Sequence, residues 1–217
     1  MRWSVFSHSL GYLAHAAGVT LALSLAGIAL GFAIGTLVCV ARLSGEPRLE
    51  RLGGAYVSIF RGVPLLVLLL FIYYFLATLG LDVPALVAAV GGLSLSSGAY
   101  QAEILRGALN AVPRGQGEAA TALGYSSFDR WRRILLPQAL RISIPPLINE
   151  FILLIKASSL VSVVGIAEIT RVSMNIASMT YRPLEAYLAG GLFYLAINLS
   201  LAGLGGLAER RVAAGGR

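Results

Sequence analysis

The sequence predicts an all-α integral membrane protein with five transmembrane helices, and three observations predict it. Of its 217 residues, 57% are hydrophobic and only 12% charged, where a soluble domain carries about a quarter charged residues. Mean hydropathy is +0.80. The apolar residues are gathered into segments that approach or exceed the ~20 residues needed to cross a bilayer, and the polar residues fall between them.

The first span is expected at about 14–40. It carries Gly27, Gly31 and Gly35, a small-xxx-small series that lets another helix approach closely. A polar loop with Arg42, Arg48 and Arg51 follows. The second span, about 61–79, opens with Arg61-Gly62-Val63-Pro64-Leu65-Leu66, and a short turn holds Gly80 and Asp82. The third, about 84–105, is polar in its middle, with Ser94, Ser96, Ser97, Gly98, Tyr100, Gln101 and Glu103. Such a face should turn toward protein or water, because lipid offers it no partners. The fourth span, about 142–164, has Pro145-Pro146 near its start and carries Asn149, Glu150, Lys156, Ser158 and Ser159. A polar stretch from Ala167 to Glu185 leads to the fifth span, about 186–208, and a tail with Arg210, Arg211 and Arg217. No internal repeat or second domain is visible, so residues 1–217 read as one transmembrane domain.

Between spans three and four lies a loop, about 113–137, with its own punctuation. Pro113 suits the first turn of a helix, and Glu118 sits near the positive end of that helix's dipole. Gly124 can take the left-handed conformation of a C-terminal cap. Ser126-x-x-Asp129 has the form of a capping box with Asp in place of Glu. Two short helices joined at an angle are expected. Ala119, Ala120 and Ala122 give the first a thin surface that a partner can cover closely, and Arg130, Arg132 and Arg133 make the second basic. Pro137 marks the approach to the fourth span. On composition alone, this is a solvated interfacial loop with ordinary caps.

The whole pattern, Glu118-Ala119-Ala120, then Gly124, then Ile134, Leu136 and Pro137, resembles position for position the EAA signature in the membrane subunits of bacterial ATP-binding-cassette importers. Arg61–Leu66 resembles a segment of the polar-amino-acid permeases within that class, with Val63 where Thr is usual. Ser96–Ile104, Asn149–Ile152 and Lys156–Leu160 resemble them as well. Many relatives have an acidic or polar residue where this chain has Ala157, which puts a basic amino acid in doubt as the solute.

The resemblance implies a permease subunit in the bacterial cytoplasmic (inner) membrane, importing a polar amino acid or similar small solute. It implies pairing with a second permease copy or paralogue around a central pathway. Two ATP-binding-cassette ATPase subunits would each receive the EAA helix in a groove, and an external solute-binding protein would deliver the cargo. Glu118, Ala119, Ala120, Gly124, Ile134, Leu136 and Pro137 would form the ATPase-coupling site. ATP and Mg would be bound by the partner ATPase, with no cofactor on this chain.

The residues agree with that division of labour. A P-loop needs Gly-Lys-Ser/Thr, and the chain's one lysine, Lys156, follows Ile155. His8 and His15 have no clustered partners, so neither a catalytic site nor a metal site is expected. Cys39, the single cysteine, lies within the first span and can form no intrachain disulfide. The formal charge of +7 sits between apolar spans and not on a folded basic face, which argues against nucleic acid. The first apolar run exceeds the ~7–15 residues of a signal-peptide core.

Lys and Arg residues gather on one side of the membrane in short loops. Arg42, Arg48, Arg51, Arg61, Arg106, Arg114, Arg130, Arg132, Arg133, Arg141 and the three tail arginines fall on one side, and Arg2, Arg171 and Arg182 on the other. The N-terminus is therefore expected outside, with the EAA loop and C-terminus cytoplasmic.

Glu150 and Lys156 stand about 240° apart around a regular helix, so each needs a partner elsewhere. An ionisable group at this depth makes function the default reading. The alternatives are that Lys156 snorkels to the outer interface and that Glu150 accepts local hydrogen bonds. The expected pathway residues are Ser96, Ser97, Glu150, Lys156, Ser158 and Ser159. Two other classes stay open on the sequence: an ATP-independent secondary transporter, which usually has more spans or internal repeats, and a membrane scaffold.

Overall fold

The computed structural model describes residues 3–214, with side chains described for 9–210. Arg2, Arg217 and the side chains of His8 and Arg211 lie outside the described residues. Every regular element among them is helical. They are α1 (Trp3–Leu43), α2 (Pro47–Gly62), α3 (Leu65–Thr78), α4 (Ala85–Ala111), α5 (Arg114–Ala122), α6 (Ser127–Val164), α7 (Ile169–Thr180) and α8 (Pro183–Ala214).

The hub is α4, with α1 along one side, α6 along another and α2 across a third. Its contact with α1 is backbone-close. A Cβ added at Gly35 would lie 2.9 Å from the Gly98 carbonyl oxygen and 3.0 Å from the Ala102 nitrogen. Within a bilayer lipid tails are as apolar as leucine, so such close packing and interhelical hydrogen bonds drive association. Cys39, Leu105 and Leu147 seal one end of the α1–α4–α6 junction. Arg42 at the end of α1 pairs with Glu103 of α4, which also binds Arg106 at 2.8 Å. Leu23, Leu69, Leu93, Leu154 and Val161 form a second cluster. Leu13, Ala16, Ala17, Ile169 and Ala189 form a third, where α1, α7 and α8 meet.

Among the described residues, three helical stretches are long and apolar enough to cross a membrane: Ser9–Leu43, Ser127–Val164 and Pro183–Arg210. They become four if the bent pair α2–α3 is one span. The serines and Gln101 of α4 lower its hydropathy, yet its 27 residues reach about 40 Å, more than the ~30 Å hydrocarbon core.

Several boundaries differ from the sequence expectations. The loop holding Arg48 and Arg51 is the helix α2, which buries Gly53 and Val57. Arg61 stands in the last turn of that helix and not at the start of a straight second one. Pro64 restricts the residue before it to extended backbone, Val63 adopts φ −91°, ψ 128°, and the chain bends by 103° into α3. The helix that carries the expected fourth span begins well before Ile142, because α6 runs unbroken from Ser127 through Pro145 and Pro146. Pro137 is accommodated by a π-helical turn over Trp131–Leu135, in which the Leu136 N–H reaches back to the Trp131 carbonyl. Such a wider turn makes room for a proline ring that crowds the preceding turn and has no N–H to give.

The stretch from Ala167 to Glu185 is largely the helix α7. Glu168 caps it, accepting from the Thr170 and Arg171 N–H groups at 2.9 and 2.7 Å and from the Tyr194 hydroxyl at 2.6 Å.

Candidate functional site

Two regions concentrate the polar residues singled out from the sequence. The first is the loop between α4 and α6. Pro113 directly precedes α5, and the helix ends in a Schellman motif. Gly124 takes φ +78°, its N–H donates to the Thr121 carbonyl at 3.0 Å, and the Tyr125 N–H donates to the Ala120 carbonyl at 3.1 Å. These are the two bonds that define the motif and satisfy carbonyls left over at a helix end.

Ser126 then caps α6, accepting from the Asp129 N–H at 3.1 Å. The expected reciprocal half of the box is not made. The Asp129 carboxylate instead accepts from the Ser126 hydroxyl at 2.9 Å and pairs with Arg133 at 3.0 Å. Asp is one methylene shorter than the Glu that reaches back in a full capping box.

What was expected as a second short helix is thus the first turn of α6. Arg130 donates to Thr121 at 3.0 Å, which ties α5 against it. Ala120 faces inward, while Glu118, Ala119 and Ala122 are exposed. Around them stand exposed Leu123, Tyr125, Phe128 and Leu136, with Pro137 exposed and Ile134 half-buried. A cleft of about 730 Å³ runs under α5, lined by Val112, Pro113, Gly117, Glu118, Thr121 and Arg130 among others.

The second region lies deep between α2, α4 and α6. Glu150 is 7% exposed. It accepts from the Ser97 hydroxyl at 2.9 Å, and that hydroxyl accepts from Gln101 Nε2 at 2.8 Å. Gln101 also reaches the Ile28 carbonyl at 3.4 Å, so one hydrogen-bonded chain joins α1, α4 and α6. A cavity of about 430 Å³ adjoins it, lined by Arg61, Val63, Ser96, Tyr100, Glu150 and Ala157 among others. The Arg61 guanidinium lies over the Tyr100 ring, 5.1 Å from its centroid, within the reach of a cation–π contact. A small polar molecule here meets one cation, one carboxylate, a hydroxyl and an aromatic face.

Of the expected pathway residues, Ser96 and Glu150 line this cavity together. Ser97 is fully buried behind Glu150. Ser158 is also buried and donates to the Ile155 carbonyl at 2.8 Å, while Ser159 is half-buried. Lys156 is exposed, as its offset from Glu150 requires. Among the described residues, no group of three or more His, Cys, Asp and Glu side chains is placed to hold a metal.

The sequence reading missed Arg61 and Tyr100 as members of the site. Tyr100 follows Ser96 by four positions, which puts both on one helix face. Arg61 opens the expected second span in the sequence, whereas in the fold it lies in the last turn of α2, a helix packed directly against α4.

Residues 27–214 match the model of a family described as "Binding-protein-dependent transport system inner membrane component". The chain is 38% identical over 212 residues to the glutamine transport system permease protein GlnP of Escherichia coli strain K12, covering 97% of each. It is 39% identical over 209 residues to the octopine transport system permease protein OccM of Rhizobium meliloti, covering 91% of this chain and 85% of that one. A solved structure described as an amino acid ABC transporter with histidines superposes with a TM-score of 0.93 at 34% identity, over 97% of this chain and 99% of that one.

Proposed function

The chain belongs to the family of binding-protein-dependent transport system inner membrane components, and from there we propose that it carries a zwitterionic polar amino acid through the cavity beside Glu150. It is a permease subunit of an ATP-driven importer and forms part of the translocation pathway. The observation that carries the solute class is that Arg61 and Glu150 line one cavity. A zwitterion brings a carboxylate for the guanidinium and an ammonium for the carboxylate. The cavity volume of about 430 Å³ lies within the ~300–1,000 Å³ of small-molecule sites. Ala157 lines the same cavity and offers no acid to a second positive charge, which favours a neutral side chain on the solute. Lys156, Ser158 and Ser159 belong to the wall and its support on this reading.

The rest of the assembly follows the family. The chain crosses the membrane five times, with the bent α2–α3 pair supplying the second crossing and α4 the third. A second permease, identical or paralogous, completes the pathway. Two ATPase subunits bind ATP and Mg on the cytoplasmic side, where each receives α5 and its exposed Glu118–Ala119 surface. An external binding protein delivers the solute.

The test is uptake by the reconstituted complex with its binding protein. Glu150→Gln and Arg61→Gln should each assemble and keep basal ATPase activity. Each removes a charged hydrogen-bonding partner worth ~1.5–3 kcal/mol, so uptake should fall by about tenfold or more. Normal uptake with unchanged solute preference in both variants would remove the cavity from the pathway.

A further inference from the structure

A second, apolar groove of about 610 Å³ lies between the end of α1, the C-terminal half of α4 and the start of α6. We propose that it holds one acyl chain of an anionic phospholipid, with the phosphate gripped at its rim by Arg132 and the Trp131 indole.

The walls ask for hydrocarbon. Leu105, Trp131 and Ala139 line the groove, and Cys39, only 3% exposed, lies within it. Its two hydroxyls are already committed to the backbone. Thr36 donates to the Phe32 carbonyl at 2.7 Å and Ser44 to the Ala41 carbonyl at 2.8 Å. Nothing inside competes for a polar solute, in contrast to the cavity beside Glu150. An unfilled gap among three helices forfeits dispersion contacts on every wall, and a flexible chain restores them.

The rim supplies the charge. Trp131 is 42% exposed, as tryptophan is at membrane interfaces, and its indole N–H has no hydrogen-bond partner among the described residues. Arg132 beside it is exposed and likewise has no ion-pair partner among them. Its neighbour Arg133 is already engaged by Asp129.

The π-helical turn explains how the site is built. Trp131 and Leu136 both line the groove, although residues five apart in a regular α-helix stand about 140° apart. The wider turn over Trp131–Leu135 brings them onto one face. Basic sites between helices at the cytoplasmic surface are where anionic headgroups bind. The proposal rests on reading this end as cytoplasmic, and cysteine labelling at positions 127 and 178 tests that orientation separately.

The intact complex, permease with its ATPases, is delipidated in detergent and equilibrated with phosphatidylglycerol or with phosphatidylcholine of the same acyl chains. Lipid retained per permease is read by native mass spectrometry. One arginine near a lipid phosphate is worth about 1 kcal/mol, so phosphatidylglycerol should be favoured about fivefold. Arg132→Gln should abolish that preference while both lipids still bind, and Ala139→Trp, which fills the groove, should abolish retention of both. Equal retention of the two lipids by the wild type, or undiminished retention by Ala139→Trp, overturns the proposal.

Should Ala139→Trp fail to assemble, Cys39 carries the test, since it is the chain's single cysteine. Its reaction with methyl methanethiosulfonate in the delipidated wild-type complex should slow when phosphatidylglycerol is returned. An unchanged rate overturns the assignment. So does protection of Cys39 before lipid is added that is lost when the subunits are separated, because the groove then belongs to a protein partner.

Discussion

Ser97 shows how much one small side chain decides. Its hydroxyl donates to Glu150 and accepts from Gln101, so it uses both of its capacities inside the bundle. Gln101 Oε1 is already a buried acceptor without a partner, and a second deficit in the same chain would be felt. Ser97→Ala leaves Glu150 without this donor and Gln101 Nε2 with only the longer bond to Ile28. An unsatisfied buried polar group costs ~1–3 kcal/mol, more if charged, and the network joins three helices. The thermal midpoint of the purified complex should therefore fall by a few degrees, by an amount set by those ~1–3 kcal/mol. An unchanged midpoint would mean that Glu150 is satisfied by other groups. Arg61 makes the complementary point, because it gains its place over Tyr100 through the packing of α2 on α4 and not through any pattern around the arginine itself.

At the scale of the element, α5 is held by its ends more than by its middle. The helix has nine residues, too short to be stable alone in water, and of these only Ala120 is buried. The Schellman motif at Gly124, the Ser126 cap and the Arg130–Thr121 bond hold it against α6. A β-branched residue at φ +78° is a steric outlier, so Gly124→Val should break the motif and re-aim α5. The protein should remain in the membrane while copurification of the ATPase falls severalfold. Undiminished copurification would show that the angle set at Gly124 does not matter for docking. The α2–α3 bend belongs to the same scale, since Pro64 stops one helix and the next begins at Leu65.

For the whole molecule, the arginine distribution sets an orientation that labelling can check. Ser127 and Ser178 are both exposed and fall on opposite sides in the proposed topology. In intact cells, an impermeant thiol reagent should label Ser178→Cys and spare both Ser127→Cys and Cys39, which lie toward the same side in the proposed topology. The reverse pattern would invert the molecule and place α5 on the wrong side for an ATPase. The fold itself is organised on α4, where Ser97 and Gln101 find partners in α6 and α1 that lipid cannot provide.

By themselves the residues determined the membrane class, the long apolar helices and the turn at Gly124. Each depends on composition or on spacing within a few residues, where hydropathy and backbone sterics act locally. The tertiary structure decided which polar groups meet. Glu150 and Ser97 are 53 positions apart, yet they bond because α4 and α6 pack face to face. Ser96 and Ser97 are neighbours, yet one lines the cavity and the other is sealed behind it, since adjacent helical positions differ by about 100°. Arg61 joins Tyr100 and Glu150 only once α2 has packed against α4. The helical character of α2 and α7 was missed for a related reason. Each is stabilised by a face laid against other helices, and that stabilisation exists only once the bundle has formed.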